Sequence, residues 1–182
     1  MPKAHTLVDD FSDPSKTTSL WNIGYPPVQD GFRHVNGRLE ITLPSGITGG
    51  GQLTAKSNYD LTNSEVRLEV IKAPRRSSGV FTMLSIYQAG LYGVYFKIEE
   101  GNLNGVELLP PDTYHGDGVA YDETQHRWLR IRELKQTVYC EASPDGVTWT
   151  AIKIFQAPGT LDDVQIVFSS STWAPAPSSP AP

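Results

Sequence analysis

The chain has 182 residues, a single cysteine and a formal net charge of -5. Fifteen Lys and Arg stand against twenty Asp and Glu, so the basic surplus that phosphate neutralisation requires is missing and no nucleic-acid partner is expected. This length suits one all-β domain, which buries about two-thirds of its unfolded surface without a disulfide staple.

Taken in order, residues 1–10 contain no apolar run of signal-peptide length, which points to synthesis in a cytoplasm without common-route export. Short runs rich in Val, Ile, Thr, Tyr, Phe and Trp then alternate with Gly and Pro, and no long run has helical spacing. Strands are expected at 6–11, 20–23, 32–35 and 38–43, the last two joined by Asn36-Gly37. That pair is a strong hairpin signal because both turn positions take positive φ. Further strands are expected at 51–56, 65–71, 80–87, 92–99 and 103–109. The uncharged stretch 79–96 is broken by Thr82, Ser85, Gln88 and Ala89-Gly90, so it reads as two strands and a turn; no membrane partner is expected. A long loop is expected at 110–122, then a hairpin from 126–134 and 137–142. Strands at 149–155, after the turn Pro144-Asp145-Gly146, and 163–169 close the series.

In the run from Glu65 to Val70, Val66, Leu68 and Val70 share one face and the charges the other. One buried and one wet face per strand is the two-layer antiparallel pattern. The fold class expected is all-β, a two-sheet antiparallel jelly-roll sandwich. It spans 1–171, and 172–182 form a proline-rich, extended tail. Cys140 reads as a small core residue.

Enzyme motifs are sparse. The sequence holds no phosphate-binding Gly-rich loop ending in Lys-Ser/Thr and no Gly-x-Ser-x-Gly. His5, His34, His115 and His126 are far apart in sequence, and each reads as a turn or surface residue. Glycoside hydrolysis needs two facing carboxylates. Glu65 and Glu69 share a face but flank Arg67, and Glu99-Glu100 reads as a solvated strand end. Lys72, Arg75 and Arg76 around Pro74 read as a solvated turn. The loop 111–118, with Asp112, His115 and Asp117, holds calcium-type ligands in a spacing that matches no ion loop. Asp9, Asp10 and Asp13 with Asp162 and Asp163 form a second such group. Neither rises above a polar loop; no metal and no cofactor is expected.

The aromatics are a better lead. Sugar-binding sandwiches set rings against the apolar faces of sugars and surround them with polar groups. Tyr92, Trp128, Arg130, Arg132, Tyr139 and Glu141 are expected to share the non-core face of neighbouring strands, as a ligand-binding face. The competing reading puts the Trp rings in the core.

Two segments carry a resemblance. Residues 7–13 (Leu-Val-Asp-Asp-Phe-Ser-Asp) followed by Leu20-Trp21 resemble the first strand of concanavalin A-like lectin/glucanase domains. Residues 121–149 are similar to a form of that domain found in minor tail proteins of actinobacterial phages. They contain His126-Arg127-Trp128-Leu129-Arg130-Ile131-Arg132-Glu133, then Thr137-Val138-Tyr139 and Ser143-Pro144-Asp145-Gly146-Val147-Thr148-Trp149. The resemblance spans about 7–171 and implies a jelly roll located in a virion. It also implies a role in tail architecture or in contact with host surface glycans, and it supplies no catalytic residue. A tailed-phage minor tail or decoration subunit is therefore the first expectation. Its partners would be other virion subunits, further copies of itself in a homo-oligomer, and a host glycan. The alternatives are a non-catalytic carbohydrate-binding module of a bacterial enzyme and a concanavalin-like glycosidase.

Overall fold

The computed structural model describes residues 1–24, 31–42, 48–74, 79–88, 92–110 and 113–172. The chain starts with a 3-10 turn, Ala4–Thr6, and a short helix, α1 (Pro14–Leu20). Strands follow: β1 (Trp21–Gly24), β2 (Phe32–His34), β3 (Leu39–Ile41), β4 (Gly49–Ala55), β5 (Glu65–Glu69), β6 (Val80–Gln88) and β7 (Tyr92–Glu99). Then come β8 (Asn102–Leu109), β9 (Thr113–Ala120), β10 (Trp128–Leu134), β11 (Thr137–Ser143), β12 (Thr150–Gln156) and β13 (Gln165–Thr172).

All ladders are antiparallel. A seven-stranded sheet runs β1-β4-β13-β6-β7-β8-β9, and a four-stranded sheet runs β12-β11-β10-β5. The sheets face each other across one core. Leu84, Ile86, Val94, Phe96, Ile98, Leu103 and Ile166 come from the larger sheet; Val66, Leu129, Ile131, Val138 and Cys140 come from the smaller. Chain-distant pairing builds the larger sheet, since β13 inserts between β4 and β6. The β2–β3 hairpin lays Phe32 over Gly51, where a Cβ would fall 2.2 Å from the ring.

The two-layer antiparallel sandwich expected from alternation, with the jelly roll that the resemblance implies, is the fold found. Asn36 and Gly37 both take positive φ, as the hairpin requires. Cys140 is fully buried. Four local expectations are corrected. Residues 6–11 form no strand; Asp9 accepts the Phe11 N–H and the Trp21 indole N–H instead, tying the segment to β1. A helix does occur, because Asp13 caps it by accepting the Ser15 N–H at 2.8 Å and Pro14 sits at its first position. Its seven polar-rich residues are too few to show a period. The loop 110–122 contains β9, whose glycines fit a close approach: a Cβ on Gly118 would meet the Leu103 carbonyl oxygen at 2.2 Å. Thr172, assigned to the tail, pairs with Gly49 and Val80 inside β13. The Ala89-Gly90 turn, Arg75, Arg76 and the tail from 173 onward lie outside the described residues.

Candidate functional site

The sandwich has two outer faces. Five of the six expected ligand-binding residues lie on the outer face of the four-stranded sheet. Trp128, Arg130 and Arg132 alternate with the core residues Leu129 and Ile131 along β10. Tyr139 and Glu141 stand opposite Arg132 and Arg130 on β11. They are brought together, but they mostly engage one another. Arg130 reaches Glu141 at 2.8 Å and Glu65 at 2.9 Å. Arg132 binds the same Glu141 carboxylate through two nitrogens at 3.1 Å. That carboxylate raises the pKa of Arg132 above its ordinary value, against the opposing effect of burial. The Arg130 guanidinium lies 4.0 Å over the Trp149 ring, and that of Arg132 4.4 Å over Tyr139. Such stacking satisfies a cation's faces as hydrogen bonds satisfy its edges.

Trp128 is half-buried against the 143–148 turn, where a Cβ on Gly146 would sit 3.2 Å from the indole. That turn is built by Asp145, whose carboxylate accepts the N–H of Val147 and of Thr148 and the Ser143 hydroxyl. Those bonds hold the Asp145 pKa down at about 2. The Ser-Pro-Asp-Gly turn is therefore a platform for Trp128.

Tyr92 does not join them. It lies on β7 of the other sheet, in register with Val94 and Phe96, and points into the core at 4% exposure. Its hydroxyl has no partner within hydrogen-bond geometry. Burial first, and then the neighbouring Glu107 carboxylate, push its ionisation far above the ordinary phenol range. A buried tyrosine at the sheet interface cannot reach a ligand at the surface.

The outer face of the seven-stranded sheet was not expected as a site. Its ladder sets side chains in rows across the strands. Ser171, Phe81, Glu99 and Asn102 form one row; Gln52, Ser169, Met83, Lys97 and Asn104 form the next. Thr54, Val167, Ser85, Tyr95 and Val106 form a third, and Gln165, Tyr87, Gly93 and Leu108 a fourth. Phe81, Met83, Tyr87 and Tyr95 are half-buried, and no strand layer of the described residues covers them. The Tyr87 and Tyr95 rings meet with centroids 5.4 Å apart at 57°. Glu99, read as a solvated strand end, is corrected: its side chain is 14% exposed. One of its oxygens takes Lys97 at 2.7 Å; the other is buried without a hydrogen-bond partner. The Ser169 hydroxyl is likewise buried and unpartnered. Glu99 is the one carboxylate among the described residues in these rows.

The remaining candidates are engaged locally. Glu65 pairs with Arg130 and Glu69 with Arg127, on a different sheet from Glu99. Asp10 bonds Ser12, Asp13 caps α1, and Asp163 accepts from Asn58. Asp117 pairs with Lys153 at 2.8 Å, while the side chains of residues 111–115 lie outside those described. No group of three metal-ligating side chains converges among the described residues. His5 meets the Ser64 hydroxyl, His34 the Thr17 hydroxyl, and His126 accepts the Asp122 N–H. Burial lowers the His126 pKa, which keeps it an acceptor. An open depression of about 320 Å³ lies among His5, Ser64, Arg132 and Glu133. Glu133 in it accepts the Asn63 and Gln136 N–H groups, one on each oxygen.

No protein-family model matches the sequence, and no curated protein matches it. Solved structures do. A legume lectin-like domain from Entamoeba histolytica is 15% identical, with a TM-score of 0.61, over 88% of this chain and 85% of that one. A β-glucanase from Bacillus licheniformis is 13% identical, with a TM-score of 0.62, over 96% and 91%. The CBM2 module of the evolved Dit protein of Lactobacillus casei BL23 phage J-1 is 8% identical, with a TM-score of 0.61, over 92% and 87%. These likenesses show the fold: a jelly-roll sandwich of the concanavalin A-like lectin and glucanase kind.

Proposed function

We propose that this chain is a non-catalytic glycan-binding domain of a tailed-phage virion, and that the outer face of its seven-stranded sheet takes the glycan. One observation carries the binding reading. Half-buried rings, Phe81, Tyr87 and Tyr95, share the outer rows with the amides of Gln52, Asn102 and Asn104. Amides both donate and accept, so a ligand rich in hydroxyls can pair with them. Sugars offer that chemistry together with an apolar ring face for stacking.

The non-catalytic reading rests on carboxylate count. Glycosidases of the two-carboxylate type need a second acid within about 5–10 Å, and Glu99 has Lys97 beside it in its own strand. The virion setting is supported by the resemblance carried by residues 121–149 and by the fold likeness to a carbohydrate-binding module of a phage Dit protein. In that setting the partners are other virion subunits and further copies of this chain.

A printed array of bacterial and plant glycans tests the binding reading. Binding that Tyr87→Ala weakens and Trp128→Ala leaves intact is the expected result; no binding to any glycan contradicts it. Release of reducing ends from a bound β-glucan would replace it with a hydrolase, the reading that the glucanase likeness favours. Mass spectrometry of purified particles tests the virion setting, and sedimentation velocity tests the homo-oligomer.

A further inference from the structure

Resting on the homo-oligomer of the proposed function, we propose that two copies of this chain join edge to edge through β5, antiparallel about a two-fold axis at Leu68. β5 ends the four-stranded sheet, so one of its sides pairs with β10 and the other is open among the described residues. The Val70 N–H bonds the Arg127 carbonyl, and the Glu133 N–H bonds the Ser64 carbonyl. In an antiparallel ladder the bonding direction alternates along the strand. The even-numbered residues of β5 therefore bond to β10, and the N–H and C=O groups of Glu65, Arg67 and Glu69 point to the open side. Such an edge pairs with another strand unless a bulge, a proline, a lysine or an inward-pointing charge guards it. The opposite edge, β12, is guarded: its register shifts against Cys140 and Glu141, and Lys153 turns to Asp117 on β9. β5 has a continuous register and carries no lysine or proline.

The side chains select a second copy of this chain, and its register. Glu65 is held by Arg130, and Glu69 takes Arg127 on its Oε1 alone. Arg67 is exposed between them and has no ion-pair partner among the described residues. A two-fold at Leu68 sets Arg67 of each copy directly opposite Glu69 of the other, where Oε2 is left for it. It also sets Leu68, half-buried at the rim of the core, against its own copy, and Val66 against Val70. A two-fold at Arg67 would instead oppose Arg67 to itself and Glu65 to Glu69, placing like charges directly across the ladder. A two-fold at Val66 would bring the second copy over Ser64. That end of β5 is flanked by the Ala4–Thr6 turn, and the Ser64 hydroxyl accepts the His5 N–H there. The pairing is short, so the dimer is weak and forms with concentration.

Sedimentation velocity over a series of protein concentrations tests the interface. The parent should pass from monomer to dimer as concentration rises. Raising NaCl from about 0.05 to 0.5 M should shift it back toward monomer, because exposed ion pairs are screened. Arg67→Glu alone and Glu69→Arg alone each set like charges opposite one another, and each should weaken the dimer by ~10- to 100-fold. An equimolar mixture of the two variants restores opposite charges across the axis and should recover the dimer. That recovery separates an interface from misfolding, since mixing changes neither protein. A dimer that both variants retain, or a mixture that fails to recover it, overturns the β5 interface while leaving the homo-oligomer intact. A parent that stays monomeric at its highest soluble concentration overturns both, and leaves this edge to an extended segment of another protein. Glycan binding is read separately, on the array, because β5 belongs to the other sheet.

Discussion

The two outer faces of this sandwich carry similar residue types and are built to opposite ends. On the four-stranded sheet, Arg130 and Arg132 converge on Glu141, and each guanidinium rests on a ring. On the seven-stranded sheet, the rings of Phe81, Tyr87 and Tyr95 share the outer rows with the amides of Gln52, Asn102 and Asn104. The first face is closed by its own ion pairs and hydrogen bonds; the second carries half-buried rings and amides, with Lys97 and Glu99 as the charges among the described residues of those rows. A cluster of Trp, Tyr and Arg is thus a poor guide to a binding site until its hydrogen bonds are accounted for.

Substitutions can sharpen that contrast. The largest expected effect is that of Glu141→Ala, which leaves two part-buried cations without their shared anion. A loss of about 3 kcal/mol is expected in urea unfolding, with an unchanged slope against denaturant. Glu99→Gln, on the other face, loses one ion pair, with Lys97, and should cost less than Glu141→Ala. Next, Trp128→Ala should cost about 2 kcal/mol of stability by stripping the indole from the Gly146 turn, with glycan affinity unchanged. Loss of binding with full stability in that variant would move the site to the smaller sheet. Tyr87→Ala should act in reverse, losing roughly five- to tenfold in affinity with a melting temperature near that of the parent.

The smallest expected effect is on pH. Turn hydrogen bonds hold Asp145 and Asp122 down at about 2, whereas an unfolded Asp titrates near about 3.9. The unfolded state therefore binds these protons first, and stability present above about pH 4 falls as the pH drops toward 2. Asp145→Asn should flatten that decline in an acid titration followed by tryptophan fluorescence, because Trp128 rests on the turn Asp145 builds.

Much of the fold was legible. Cys140 read as a core residue and Arg130, Arg132, Tyr139 and Glu141 as outward, because charged and apolar residues separate cleanly along β10 and β11. The same test failed on β6 and β7. There Phe81, Met83, Tyr87 and Tyr95 face outward while Leu84, Ile86 and Phe96 face inward, so both faces look apolar. Tyr92 could be set on its proper side only by its register with Val94 and Phe96. Ser169 drew no notice for a different reason. Its place beside Met83 depends on β13 pairing with a strand more than 80 residues away, and no local pattern encodes such pairing. The Ser-Pro-Asp-Gly turn was visible as a motif, but its role as a support for Trp128 emerges only from contact.

The contrast between the faces is tested most directly by two-dimensional NMR of the labelled domain, titrated with the strongest-binding glycan from the array. Shifts confined to amides of β13, β6, β7 and β8 are the expected result. Shifts concentrated on Arg130, Arg132, Tyr139 and Glu141 of β10 and β11 would contradict it and restore the smaller sheet as the binding face.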